Sequence, residues 1–239
     1  LQAAELYEQA LKQDPNHSAN RQNYAYSLGE RAMIYIRKGQ TAGKEKNYAQ
    51  AAGLYGIAVA AYDLALKKLP QETNFQKNRR FCRREWGLAQ FQVKLAAKEN
   101  AYPFRLTGLD GAPIALSDMK GQVVLLEFMA GWCPSCRESL PVLQELQKQF
   151  KCKGVRIVVL ALDRVESWGK SGSEARTLEL AAGRDFAVAW ADEETFYQYG
   201  SFNSIPTVIL IDRAGKIVAQ VPADGRDREQ LARRITDLL

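Results

Sequence analysis

Two cysteines, Cys133 and Cys136, stand three positions apart in the segment 132–136, which reads Trp-Cys-Pro-Ser-Cys. An apolar run, 123–128, precedes this segment and an amphipathic pattern, 138–150, follows it. We therefore expect a buried strand that ends in a turn and enters a helix at Cys133. Unpaired backbone N–H groups and the dipole at a helix N-terminus favour negative charge, so the Cys133 thiol should ionise readily. The spacing predicts a dithiol–disulfide exchange site, with Cys133 as the nucleophile and Cys136 as the resolving cysteine.

Other residues that could bind metal or act as a base are scarce. The chain has four cysteines and one histidine in 239 residues. A structural zinc site commonly uses four ligands from two Cys-x-x-Cys pairs, and this chain has a single such pair. A Cys–His hydrolase is excluded because the one histidine, His17, lies in an Asn-His-Ser turn and the second half of the chain has no histidine to act as base. We expect no metal and no prosthetic group, since the Cys133–Cys136 disulfide would itself be the redox centre.

The charge and hydropathy of the chain say little about its partners and its location. The net charge of +6 does not by itself require nucleic acid, and we expect none as a partner. The arginine-rich segment 79–84 favours a solvated helix face, with binding of acidic partners or anionic lipid as the alternative. No apolar run approaches the ~18 residues that span a membrane. We interpret the chain as a trimmed fragment, from which a signal or a membrane anchor could have been removed.

Residues 1–100 read as a separate all-helical domain. Helices are predicted at 1–13, from Ser18 to about residue 37 with a stop near Gly39 and Gly43, at 48–69, and from Thr73 to about residue 98. Four residues recur at identical spacing 55 positions apart: Ala3, Tyr7, Ala10 and Pro15, then Ala58, Tyr62, Ala65 and Pro70. This pattern resembles the second helix of a tetratricopeptide repeat, although that family repeats every ~34 residues. A divergent tetratricopeptide-like domain could bind a protein partner, and a structural or dimerisation role is the alternative.

Residues 101–239 alternate between strand and helix patterns and then end in a hairpin and a helix. The strands are predicted at 104–106, 114–116, 122–128, 155–162, 186–190, 207–211 and 216–221. Such an order predicts an α/β sandwich with a mixed central sheet flanked by helices.

The ordered set of motifs in this second domain is similar to the TlpA-like branch of the thioredoxin superfamily. The resemblance covers about residues 102–239 and rests on these stretches: Phe104-Arg105-Leu106 with Asp110-Gly111, 116–121, Trp132 to Cys136 with Pro141, Ile205-Pro206-Thr207, and 211–218. It implies a thioredoxin-like fold, with 163–200 holding the extra strand and helix of this branch. Pro206 matches the family's cis-proline, which faces the active-site sulfurs, so Ile205 would offer backbone hydrogen bonds to a substrate. Trp132 and Pro134 would complete the substrate-binding surface.

Glu127 departs from the apolar pattern of the strand that precedes the cysteines. A carboxylate there costs several kcal/mol unless it is paired or protonated. By the resemblance, Glu127 occupies the position where thioredoxins carry a buried acid. Many TlpA-like members instead have a glutamate where this chain has Ser139. We hypothesise that Glu127 exchanges a proton with Cys136 and that burial raises its pKa. A salt-bridged strand residue without a role is the alternative.

The sequence therefore predicts a thiol–disulfide oxidoreductase. The resemblance implies that it reduces disulfides of extracytoplasmic protein partners, in the periplasm of a bacterium or tethered to a membrane, as in cytochrome c biogenesis. Its electrons would come from a membrane thiol donor. A thiol oxidase or isomerase, a Cu(I) carrier and an interaction scaffold that acts through the helical domain remain alternatives. We expect Cys82 to be a buried small side chain and Cys152 a partly exposed bystander, with a disulfide between them as a further possibility.

Overall fold

The computed structural model describes residues 2–222 and 228–239. The chain divides into two compact units, 1–93 and 94–239. The sequence predicted a domain boundary between residues 100 and 101, after the fourth helix. The two units instead divide between residues 93 and 94, within the last turns of that helix, Thr73–Ala97.

The first unit is built from long helices. Before the first strand, the described residues form α1 (Gln2–Gln13), α2 (Ser18–Lys44), α3 (Tyr48–Lys68) and α4 (Thr73–Ala97). The core between them is rich in alanine and tyrosine, including Ala25, Ala32, Ala58, Ala65, Tyr55 and Tyr62, all buried. Small alanine side chains let the helix backbones approach each other, and the tyrosine rings fill the remaining space.

The second helix differs from its prediction at both ends. It continues through Gly39 to Lys44. A Cβ atom at Gly39 would lie 3.1 Å from the Tyr55 ring, so this glycine allows α3 to pack closely and does not end α2. At the other end, His17 is the N-cap in place of Ser18, because its Nδ1 accepts a hydrogen bond of 3.2 Å from the Asn20 N–H.

The two copies of the internal repeat are buried to different extents. Ala58, Tyr62 and Ala65 of the second copy are 0–1% exposed, as the predicted close packing requires. In the first copy, Ala3 is exposed and Tyr7 is half-buried. The tetratricopeptide-like assignment stays a prediction.

Helix α3 corrects the expectation about membrane-spanning length. Among the described residues, Tyr48–Lys68 is the one helix long and apolar enough to cross a membrane, with a mean hydropathy of 1.2. This criterion concerns length and composition only, and the core helix of a soluble protein also meets it. A single helix of this kind is weak evidence for a membrane span, and 39% of its apolar window is buried within the protein.

The second unit contains the predicted mixed sheet. Its described strands are β1 (Arg105–Thr107), β2 (Pro113–Ala115), β3 (Val123–Met129), β4 (Val155–Ala161), β5 (Ala187–Trp190), β6 (Thr207–Ile211) and β7 (Ile217–Pro222). Its helices after α4 are α5 (Pro134–Phe150), α6 (Ser173–Ala181), α7 (Glu193–Gln198) and α8 (Arg228–Thr236). Within the described part of the chain, five strands form one sheet in the order β5-β4-β3-β6-β7, and β1 pairs with β2 separately. Strands β3, β4 and β5 are parallel, whereas β6 and β7 run antiparallel to their neighbours.

Strand β3 lies at the centre of this sheet and is buried along its whole length. Side chains alternate between the two faces of a strand. Val123, Leu125 and Met129 pack in one cluster with the apolar side of α5. Glu127 belongs to the same face by this alternation, whereas Phe128 contacts aromatic rings on the opposite face.

Candidate active site

The two cysteines lie at the junction between β3 and α5. Cys133 is the N-cap of α5, Pro134 occupies the first turn, and Cys136 follows inside the helix. Proline suits this position because its missing N–H would have no partner there. Cys133 and Cys136 form a disulfide, with their Cα atoms 5.3 Å apart. The Cys136 N–H points at the Cys133 Sγ across 3.2 Å, so this amide can stabilise a thiolate on Cys133 after reduction.

The sulfurs are less accessible than the sequence suggests. Cys133 is 4% exposed and Cys136 is 0% exposed, so Cys133 is the more accessible sulfur, as expected. Both nevertheless belong to the apolar cluster under α5, and Trp132 and Ile205 pack against that cluster. An incoming disulfide therefore approaches Cys133 beside apolar side chains.

The segment before β6 lies directly beside Cys133. The Ile205–Pro206 peptide bond is cis, as the resemblance implied. The Ile205 carbonyl oxygen is 3.7 Å from the Cys133 Sγ. Pro206 is buried, and Ile205 is half-buried. The structure thus brings Ile205 next to the reactive sulfur, while the substrate-binding roles of Ile205 and Pro206 stay predictions.

Trp132 has a partner that the sequence did not single out. Its Nε1 donates a hydrogen bond of 2.7 Å to the backbone carbonyl of Trp168. The two indole rings stack with centroids 6.0 Å apart and an angle of 13° between their planes. Trp168 lies in the loop between β4 and α6, so that loop fixes the side chain next to Cys133.

A buried carboxylate also holds the turn before Cys133. Asp163 accepts hydrogen bonds from the Gly131 N–H at 3.0 Å and from the Thr177 hydroxyl at 2.8 Å. A Cβ atom at Gly131 would come within 2.6 Å of Thr177 Oγ1 and would collide with the Ser173 carbonyl oxygen. The sequence reasoning missed Asp163, although its position just after an apolar strand neighbouring β3 could have indicated it.

Glu127 is completely buried, and burial raises the pKa of its carboxyl to about 8 because water can no longer solvate the charged form. The Ser139 hydroxyl opposes this shift and lowers the pKa. Among the described residues, the second carboxyl oxygen, Oε2, is buried and has no hydrogen-bond partner. The salt bridge offered as an alternative for Glu127 is not formed within the described part of the chain.

The Ser139 hydroxyl links Glu127 to Cys136. Its Oγ lies 2.5 Å from Glu127 Oε1 and 2.8 Å from the Cys136 carbonyl oxygen. A hydroxyl has one hydrogen and can donate it to only one of these two acceptors. Both contacts become hydrogen bonds when Glu127 is protonated, because the carboxyl then donates to Ser139 and Ser139 donates to the Cys136 carbonyl. When Glu127 is charged, the Ser139 hydroxyl donates to its Oε1, and this hydrogen bond lowers the pKa against the larger effect of burial.

The two remaining cysteines do not pair. Cys82 and Cys152 are both free, which corrects the suggestion of a disulfide between them. Cys82 is 0% exposed, and burial raises the pKa of its thiol to about 12. Cys152 is exposed in the turn after α5, where the sequence expected a bystander.

Comparison with known proteins agrees with this geometry. The profile of the AhpC/TSA family matches residues 97–220. The chain belongs to this family. The thiol–disulfide oxidoreductase ResA of Bacillus thuringiensis is 32% identical over 138 residues, which cover 58% of this chain and 76% of the relative. The protein of the same name from Bacillus subtilis is 30% identical over 141 residues, covering 56% and 75%.

Solved structures show the same fold. A crystal structure of a candidate thiol:disulfide interchange protein DsbE from Chlorobium tepidum is 33% identical, with a TM-score of 0.51. The match covers 58% of this chain and 94% of that one. A solution structure from Bacteroides thetaiotaomicron, described as a candidate protein disulfide isomerase, has 26% identity, a TM-score of 0.51 and coverages of 59% and 89%. The predicted thioredoxin-like domain and the oxidoreductase class are therefore confirmed.

Proposed function

We propose that the Cys133/Cys136 pair of this thiol–disulfide oxidoreductase reduces disulfides in protein partners outside the cytoplasm. The observation that carries the proposal is the position of Cys133. It caps a helix, its sulfur receives the Cys136 N–H, and it faces the carbonyl that precedes a cis-proline. A sulfur in this setting forms a stabilised thiolate beside backbone that can pair with an extended peptide.

Reduction proceeds by two exchange steps. The Cys133 thiolate attacks one sulfur of the partner's disulfide, forms a mixed disulfide and releases the partner's other sulfur as a thiolate. The Cys136 thiolate then attacks Cys133 Sγ, forms the Cys133–Cys136 disulfide and releases the partner's second thiolate. Two electrons pass from the protein to the partner, and the two protons of the dithiol finally reside on the partner's thiols.

Glu127 supports the second step as a proton acceptor. Cys136 is fully buried and needs a nearby base to become a thiolate. Ser139 engages Oε1 of Glu127, whereas Oε2 has no partner among the described residues. Oε2 is therefore the atom we assign to receive the Cys136 proton. Raising the pKa to about 8 brings the proton affinity of the Glu127 carboxylate close to that of a thiol, so the ionised form, which grows as the pH approaches 8, accepts the Cys136 proton.

The direction of electron flow is tested by equilibrating the protein with glutathione buffers and measuring the fraction of the Cys133–Cys136 disulfide. A midpoint potential at or below about −250 mV supports a reductase. A midpoint near about −120 mV means that the reduced dithiol is the stable form and would reverse the proposed direction. The variant Cys133→Ser should lose all disulfide reduction, and retained function in the cell would instead favour a scaffold role of the helical unit.

The proposed location and partners follow from the same chemistry. A reductase outside the cytoplasm must be reduced again, and a membrane thiol donor could supply two electrons by the reverse of the steps above. No prosthetic group is needed for this cycle. The helical unit would bind a protein partner, since the helices of such a domain can present a concave surface. Deleting residues 1–93 should leave reduction of a small disulfide unchanged if that unit serves docking alone.

A further inference from the structure

A lysine lies over the tryptophan that neighbours the reactive cysteine. The ammonium group of Lys170 is 3.5 Å from the centroid of the Trp132 ring. A cation at this distance is attracted to the electron-rich face of the indole. Lys170 belongs to the same loop as Trp168, whose backbone accepts the Trp132 Nε1 hydrogen bond. This positive charge thus lies over the side chain of the residue that directly precedes Cys133.

The backbone of this loop holds Lys170 in place. The Lys170 N–H donates to the Ser173 hydroxyl at 3.3 Å, and the Ser173 N–H donates to the Lys170 carbonyl at 3.0 Å. Ser173 is 3% exposed and so forms a buried anchor. The residue before Lys170, Gly169, is also closely packed, because a Cβ atom there would lie 2.5 Å from the Asp163 carbonyl oxygen. The Lys170 side chain remains exposed.

The charge on Lys170 is available to a substrate. In the part of the chain that the structure describes, Lys170 forms no ion pair, and neither does Arg137. Arg137 is exposed in the first turn of α5 and follows Cys133 by one helical turn. Two carboxylates, Glu138 and Glu166, also lie in these segments, but the Lys170 ammonium is the charge placed over the ring next to Cys133.

We propose that Lys170 makes the site prefer disulfides flanked by a carboxylate in the partner's sequence. This inference rests on the proposed function and names its substrate class. A peptide that brings its sulfur to Cys133 passes beside Trp132, so a side chain close to its cystine comes near the ammonium. A single charge pair at about 6 Å in water changes a rate by about threefold. The preference should weaken as salt screens the interaction.

The test uses the pre-reduced full chain and two disulfide peptides that differ only in the residue after the cystine, aspartate or lysine. Wild type should reduce the aspartate peptide about threefold or more faster at low ionic strength. Lys170→Gln should remove this ratio, and Lys170→Arg should keep it, because the positive charge is retained. Lys148→Gln is the matched control, since this exposed lysine in the last turn of α5 carries the same charge away from the site.

The outcomes separate the inference from the proposed function. An equal rate for both peptides in wild type, or an unchanged ratio in Lys170→Gln, overturns the inference. A ratio lost equally in Lys148→Gln also overturns it, because the net charge of the protein would then be the cause. Reduction of neutral dithiodiethanol by wild type shows that the proposed function stands in each of these cases. If no disulfide is reduced at all, the proposed function fails and the inference fails with it.

Discussion

Replacing Glu127 with glutamine should change how the stability of the redox unit depends on pH. In the folded protein, burial raises the pKa of Glu127 from 4.5 to about 8. Below about pH 4.5, the carboxyl is protonated in the folded and unfolded states alike, and its contribution to stability is complete. As the pH rises through the interval between the two pKa values, the unfolded state releases the proton first. Stability is therefore lost progressively until the folded carboxyl also ionises.

The size of this effect follows from the two pKa values. The interval from 4.5 to about 8 corresponds to about 5 kcal/mol at 1.36 kcal/mol per pKa unit. At pH 7 about 3 kcal/mol of this has been lost. Glutamine does not titrate, so the free energy of unfolding of the variant should rise relative to that of wild type by about 1.4 kcal/mol per pH unit across the interval. The buried amide adds a cost of about 1–3 kcal/mol that does not vary with pH.

Urea unfolding at several pH values between about 5 and 8 measures this difference. Both proteins are kept oxidised so that Cys133 and Cys136 do not titrate. Tryptophan fluorescence reports mainly on the redox unit, which contains Trp132, Trp168 and Trp190. The control is Glu138→Gln, which removes an exposed carboxylate from α5, the helix that packs on β3, and should show no such gain with pH. A free-energy difference between wild type and Glu127→Gln that stays constant with pH would refute the reasoning, because Glu127 would then have the same proton affinity in both states.

Three other substitutions test neighbouring parts of the site. Gly131→Ala should destabilise the oxidised protein by about 2 kcal/mol or more in the same urea assay, because the new Cβ meets Thr177 and backbone that cannot move aside; an unchanged midpoint would show that the turn can shift. Cys136→Ser should accumulate a mixed disulfide with a peptide substrate, visible as an adduct by mass spectrometry, since the resolving thiol is missing; rapid release of product would contradict the assigned roles. Tyr199→Phe should cost about 1 kcal/mol by losing the 2.7 Å hydrogen bond from the buried tyrosine hydroxyl to the Tyr102 carbonyl, and a neutral result in urea unfolding would show that this carbonyl finds another partner.

The local pattern of the sequence was enough to predict the strand, the turn and the helix around the cysteines. An apolar run, two cysteines three apart and an amphipathic segment specify neighbouring geometry, because backbone propensity and side-chain periodicity act over a few residues. The same holds for the order of strands and helices after residue 101 and for the helical character of the first unit, whereas the cis bond before Pro206 was expected from the family resemblance. Glu127 was also recognisable from the sequence, because a carboxylate in a buried strand is costly wherever its partners come from.

Only the tertiary structure decided which distant residues meet at the site. Ser139 contacts Glu127 because α5 covers one face of β3, and Lys170 lies over Trp132 because a loop after β4 returns to the site. The sequence alone predicts that Gly39 ends a helix. In the structure the helix continues through Gly39, because the Tyr55 ring packs against it. The sequence by itself thus determined the reactive dithiol and the type of fold, since both depend on short-range pattern. The hydrogen bond between Ser139 and Glu127 and the position of Lys170 over Trp132 depend on contacts between segments apart in the chain, which only packing brings together.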